Sequence, residues 1–399
     1  MSDETPHAGV PVRGVFVLLA SCTLTLVLGS VHAFSVFLQP MELAFGATRA
    51  AVSFTYSLAL VCLTLAVLVG HLAYGLLRPT FFAVTACFGA ALGCVVAALS
   101  GHLWGTWFGY SVIFGTANGF GYGFALQISA QANPSRKALT MGIVTACYAL
   151  GAALFPWILA KATLEVGIGG ALISLALIIA VAGLIAAGLM HLGNAVYSGV
   201  VSANEARVQS ADPKLIAHLW FAYGAGVSAG LMVIGHATGI AQTSGAPENL
   251  VVLAAFLVAV GNMAGGVAGG WMTDRIGTRP VITGLPILSV AGLATLLTVK
   301  DHNAVLAALC LTGFAYGAII AVYPAAISYL FGTVSGVKAY GRVFTAWGTA
   351  GLIFPWLAGY LFDRSSSYTT IFAMAAVGSV LSAVAAYRLP NASAHSSGV

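Results

Sequence analysis

The sequence predicts an all-α membrane protein with twelve transmembrane helices in two pseudo-symmetric six-helix bundles. Three observations carry that prediction. First, only 25 of 399 residues are charged (15 Lys or Arg, 10 Asp or Glu), while 60% are hydrophobic. A soluble chain is about 25% charged, so a water-exposed surface of this size would go uncovered. Second, apolar runs of the ~20 residues needed to cross a ~30 Å hydrocarbon core recur along the chain. Third, the two halves repeat each other. Soluble enzymes, nucleic-acid binders and disordered proteins are therefore excluded as classes. The net charge of +5 is spread singly between apolar runs, with no patch for a polyanion. A transmembrane barrel is disfavoured, because the runs are continuous rather than alternating.

The spans follow in order, each bounded by charges, prolines or turn residues. Arg13 precedes 14–38, and Arg49 separates it from 50–74. Arg78 and Pro79 lead into 80–100, and Gly101-His102 divides that run from 103–128. Arg136 and Lys137 precede 138–160, and Lys161 separates it from 168–190. The longest polar stretch, Gly193 to Lys214, contains Asn204, Glu205, Arg207, Gln209 and Asp212. It divides the chain into an N-terminal bundle (1–192), a linker (193–214) and a C-terminal bundle (215–399). The second half has spans at 215–242, 249–272, 280–299, 303–330, 340–362 and 368–387. Residues 1–12 are polar and the run after Arg13 is too long for a signal h-region, so the N-terminus is not read as a cleavable signal.

Loop parity places Arg49, Lys161, Lys300 and Arg364 on one side of the membrane and the other 11 of the 15 basic residues on the opposite side. The positive-inside rule then predicts a multi-pass protein of the cell membrane with both termini and the linker cytoplasmic.

The repeat is visible at three places, at an offset of about 200 residues. Thr145-Ala146-Cys147 leads to Phe155-Pro156-Trp157, and Thr345-Ala346-Trp347 leads to Phe354-Pro355-Trp356. Gly119-Phe120-Gly121-Tyr122-Gly123 matches Gly313-Phe314-Ala315-Tyr316-Gly317. His32 before Gln39 in the first span matches His236 before Gln242 in the seventh. Odd spans pair with odd and even with even. Such a parallel repeat puts a substrate site between the halves at mid-depth.

Gly270-Trp271-Met272-Thr273-Asp274-Arg275-Ile276-Gly277-Thr278-Arg279, between spans eight and nine, resembles the loop signature of the major facilitator superfamily. There the glycine lets helices approach, and Asp and Arg make interhelical charge contacts at the cytoplasmic face. The equivalent loop after span two is degraded, with Tyr74 where the acid would stand. His32 to Pro40, Arg136-Lys137 with Gly142 and Gly151, Gly230 to His236, and Tyr340 to Gly348 resemble the oxalate/formate antiporter and monocarboxylate porter branch. That resemblance implies uptake or exchange of small carboxylates by a secondary active transporter. The chain departs from the branch at two points. Gly266 stands four residues after Asn262, where such carriers have an Arg, and Trp347 stands where oxalate carriers have a Lys.

No Lys, Arg, Asp or Glu falls near the middle of any predicted span. A dianion would meet no fixed counter-charge, and burying unpaired charge is costly. The expected solute is a monocarboxylate, with proton linkage optional, and symport, antiport and uniport all stay open. A neutral or aromatic solute is the alternative. A copper importer using Met232, His236 and Met263 is a further one, because thioether and imidazole suit Cu(I).

The expected substrate-binding residues are His32, Asn118, Tyr122, Gln127, Tyr148, His236, Asn262, Tyr316, Tyr323 and Trp347. Histidine can carry a proton at physiological pH. Tyr, Asn and Gln can hydrogen-bond a carboxylate without fixed charge. Gly270, Asp274, Arg275, Gly277 and Arg279 form the expected structural and gating motif. The six cysteines lie inside spans without CxxC spacing, so neither disulfides nor a resident metal is expected. No nucleophile motif and no P-loop occurs, so no enzyme activity, ATP or other cofactor is expected. The expected partners are a small-molecule substrate, the lipid bilayer and optionally protons, with no nucleic acid, for a monomeric protein.

Overall fold

The computed structural model describes residues 12–132, 137–197, 212–331 and 333–390. Among these residues every regular element is helical. Nine helical stretches are long and apolar enough to cross a membrane. One of them, Thr140–Leu192, spans 53 residues and breaks at Gly167, so it counts twice. Residues 103–132 and Thr333–Ser365 add two more, which makes twelve.

In chain order these are α1 (12–45), α2 (Arg49–Ala73), α3 (Pro79–Ser100), α4 (103–132), α5 (137–166) and α6 (168–192). The second bundle has α7 (Pro213–Thr243), α8 (Glu248–Ile276), α9 (Thr278–Thr298), α10 (His302–Phe331), α11 (Thr333–Ser365) and α12 (Thr369–Tyr387). Several helices outrun the predicted spans, because backbone hydrogen bonding continues past the apolar segment. Most of the 193–214 linker lies outside the described residues; α6 ends at Leu192 and α7 starts at Pro213.

Two breaks come from the backbone itself. Gly167 (φ +73°, ψ 178°) separates α5 from α6, and Gly277 (φ +84°, ψ 170°) separates α8 from α9. Both conformations are essentially reserved for glycine, so each break is written in one residue.

Two other irregularities fall within spans. The middle of α1, Gly29–Phe37, is wound as a tighter 3-10 helix. In α4, Trp107–Phe114 is widened into a π-helical stretch. Such departures often mark functional segments.

Helices pack here through small residues. A Cβ on Gly29 would collide with the Tyr148 carbonyl, and one on Gly151 with the Leu26 carbonyl, so α1 and α5 cross backbone to backbone. The repeat holds in the contacts too. Gly119 of α4 seats on the Leu63 carbonyl of α2, and Gly313 of α10 seats on the Val258 carbonyl of α8.

The motif residues lie at the end of α8 and the start of α9. A Cβ on Gly270 would meet open space, so Gly270 does not bring helices together. Gly265 and Gly269 do, against Phe314 and Ala318 of α10, because they lie on the helix face turned toward it. Arg275 lies over the Trp271 ring at 4.6 Å, and Arg279 over Tyr387 of α12 at 4.5 Å. The Asp274 side chain lies outside the described residues. At the matching corner of the first bundle, Tyr74 packs against Phe82, Phe124 and Tyr197, with ring centroids 5.5, 5.9 and 5.8 Å away. Burial raises the Tyr197 phenol above its ordinary value, so it stays neutral in this cluster.

Candidate functional site

Between the bundles lies a small cavity, of about 40 Å³. His32, Leu63, Tyr122, Thr145, Tyr148 and Ala149 line it from the first bundle. Asn262, Tyr316, Ile320, Phe344 and Trp347 line it from the second. A smaller adjoining pocket shares His32 and Asn262 and is otherwise apolar. Among the described residues none that lines either pocket is Lys, Arg, Asp or Glu. This is the usual make-up of a small-molecule site: apolar and aromatic walls with a few convergent polar groups.

Local structure sets each wall. The 3-10 stretch of α1 carries His32, whose ring meets Tyr148 and Trp347 edge-on at 5.4 and 6.5 Å. Its Nδ1 lies 2.7 Å from the Tyr56 hydroxyl of α2. Tyr148 donates to Asn118 Oδ1 at 3.0 Å, and Asn118 Nδ2 donates to the Leu28 carbonyl at 2.6 Å. Asn118 therefore fixes Tyr148 rather than facing the cavity. In the second bundle, Trp347 Nε1 donates to the Tyr316 hydroxyl at 2.9 Å, and Phe344 stacks on Trp347 at 5.1 Å. With its oxygen accepting from Trp347, the Tyr316 hydroxyl keeps a proton to donate.

Of the ten expected binding residues, the cavity brings together His32, Tyr122, Tyr148, Asn262, Tyr316 and Trp347. Asn118, Gln127, His236 and Tyr323 do not line it. Tyr323 is buried against Tyr223 at 4.6 Å, and Gln127 is half-buried on another face of α4. His236 is fully buried and uses both ring nitrogens. Nε2 lies 2.7 Å from the Pro355 carbonyl and must donate, which leaves Nδ1 to accept from the Tyr368 hydroxyl at 3.1 Å. Neither nitrogen offers a lone pair to Cu(I), which removes the central ligand of the copper reading.

Sequence reasoning missed Tyr56, Leu63, Thr145 and Phe344. It also missed a polar cluster where the bundles meet at one end of the molecule. Arg49 pairs with Glu42, its Nη2 donating to Oε2 at 2.9 Å, and its Nη1 donates to Tyr368 at 3.1 Å. Its guanidinium lies 4.2 Å from the Phe362 ring centroid. Asp363 of α11 accepts from the backbone N–H groups of Arg49 and Ala50 at 3.0 and 2.9 Å, capping α2 from the opposite bundle. Thr238 donates to the Ser35 carbonyl at 2.6 Å, and Gln242 to Gln39 at 2.8 Å. The bundles are thus fastened at the Arg49 end. The Glu42–Arg49 spacing of seven residues was a readable signal; the pairing with Asp363 was not.

Comparison with known proteins agrees with this geometry. The family model described as Major Facilitator Superfamily matches residues 219–398. The chain is 28% identical over 341 residues to the uncharacterized MFS-type transporter YhjX of Escherichia coli (strain K12), covering 82% of each. It is 23% identical over 288 residues to the oxalate:formate antiporter of Oxalobacter formigenes, covering 69% of this chain and 68% of that one. Among solved structures, a bacterial homolog of the human lysosomal transporter Spinster, inward-facing and unoccupied, superposes with a TM-score of 0.68. It covers 95% of both chains at 13% identity, a likeness of fold.

Proposed function

For this chain, a transporter of the major facilitator superfamily, we propose secondary active transport of a small monocarboxylate by alternating access of the two bundles around the central cavity. The observation that carries this reading is the lining itself: both bundles contribute polar donors, and among the described residues none of the lining is Lys, Arg, Asp or Glu. A single negative charge can be met by hydroxyl, amide and imidazole donors. Two charges would be desolvated against neutral side chains, which is costly. Arg342, a cation near the cavity end of α11, is exposed and does not line the site.

The named relative exchanges oxalate and formate by its title, and formate-like monoanions are the part of that pair this lining suits. The absence of fixed charge equally favours the second reading, a neutral or aromatic solute. In the proposed orientation the Arg275 end faces the cytoplasm and the Arg49 end faces outward. Where transport is proton-linked, His32 is the imidazole placed to take part.

The test is exchange in proteoliposomes with labelled formate, lactate, oxalate and a neutral amide. Saturable exchange of a monoanion, with little oxalate exchange, is expected. Oxalate exchange matching the best monoanion would overturn the charge argument, and amide-only transport would favour the second reading.

A further inference from the structure

We propose that Tyr56 is a positioning residue that holds His32 with a proton on Nε2, so that the imidazole presents an N–H donor to the substrate carboxylate. The inference rests on the monocarboxylate reading for the identity of the ligand, but its geometry stands by itself. His32 Nδ1 is 2.7 Å from the Tyr56 hydroxyl, and Tyr56 is fully buried. Among the described residues no other hydrogen-bond partner of that hydroxyl is seen, and none of His32 Nε2. Tyr56 is also pinned from the second bundle: a Cβ on Gly235 of α7 would sit 3.1 Å from its ring.

Two neutral arrangements of the pair exist, and they differ in what the cavity sees. If Tyr56 donates to Nδ1, its proton is used and Nε2–H faces the cavity. If Nδ1–H donates to Tyr56, the buried phenol proton has no acceptor and Nε2 offers a lone pair, which repels a carboxylate. The first arrangement leaves only the His32 Nε2–H without a protein partner, whereas the second also orphans the buried phenol proton, and buried polar groups are rarely left so. In the imidazolium, Nδ1–H would donate to the Tyr56 oxygen; Nε2–H would stay in place, but the phenol proton would lose its acceptor, so the pair favours the neutral Nε2–H ring. The tyrosine can act in either sense because its hydroxyl is both donor and acceptor.

The experiment uses the full chain in lipid vesicles, with 15N-histidine labelling and a His32→Gln difference spectrum to assign one ring among the nine histidines. The wild-type His32 is expected as the Nε2–H form, and Tyr56→Phe should convert it to a mixture. In transport, Tyr56→Phe should lower the ratio of kcat/KM for lactate to that for lactamide by about tenfold, since a donor to a charged group is lost. The neutral Nδ1–H tautomer, with Nε2 unprotonated, in the wild type would overturn the proposal, whether or not Tyr56→Phe folds. So would an unchanged lactate-to-lactamide ratio in a folded Tyr56→Phe. If the wild type carries neither compound, the monocarboxylate reading fails, while the spectrum still decides the role of Tyr56.

Discussion

His32 and His236 occupy matching positions in α1 and α7, yet the structure uses them differently. His32 sits on a 3-10 stretch, has one nitrogen committed and lines the cavity. His236 sits on a regular α-helix with both nitrogens committed, to Pro355 and Tyr368. The tighter winding of α1 changes the angle at which side chains leave the axis, because a 3-10 turn takes about 3.0 residues rather than 3.6. A repeat therefore conserves place along the membrane normal without conserving the direction a side chain faces. One histidine belongs to the site, and the other belongs to the fastening at the Arg49 end.

The strongest way to break this contrast is through the packing beneath it. Gly29→Val should abolish folded protein, because α1 and α5 touch backbone to backbone there. Gly235→Ala, with a Cβ 3.1 Å from Tyr56, should cost only about 1–3 kcal/mol as mild overpacking. Yield of monodisperse protein and thermal midpoint distinguish the two; equal tolerance would mean the α1–α5 crossing is looser than its geometry.

Next in size is the histidine pair itself. Transport per folded molecule should fall roughly 10–100-fold in His32→Gln, the worth of a hydrogen bond to a charged group. In His236→Gln the loss should appear as stability, about 1–3 kcal/mol for buried partners left unpaired, with transport following the folded fraction. Similar kinetic defects in both would erase the distinction.

A subtler version uses pH. If transport is proton-linked through the protein, uptake of a monoanion should rise as pH falls, because a protonated imidazole then meets the anion. His32→Gln should flatten that profile and His236→Gln should keep it. A profile unchanged in His32→Gln would show that the proton travels on the substrate.

The smallest expected effect lies at the fastening. Tyr368→Phe removes the hydroxyl shared by Arg49 and His236, a loss of about 1 kcal/mol. It should raise the rate at which a cysteine replacing Gln39 is labelled from outside. No change would mean that Asp363, Glu42 and the Thr238–Ser35 bond hold that end without it.

Much of this architecture was legible in the amino-acid order, because spans must be apolar for their whole length and the linker is the longest polar stretch. The side a residue faces was not. Helices that are apolar all round carry no amphipathic phase, so Gln127 and Tyr323 looked as eligible as Tyr122 and Tyr316. Tyr56 gave no sign either, since only its distance from His32 marks it out. The capping of α2 by Asp363 joins residues 314 apart in sequence, and no local pattern encodes such a pair.

The crossing of α1 and α5 also bears on how this protein could be inhibited. Because Gly29 and Gly151 leave no gap, His32 and Tyr148 shift together as one surface, and a compound resting on them alone would be carried along as cargo. A compound long enough to brace Tyr148 against Trp347 would instead wedge two surfaces that part under the proposed alternating access, and so stall turnover. Reach across the cavity, more than affinity for either wall, is what separates a blocker from a passenger.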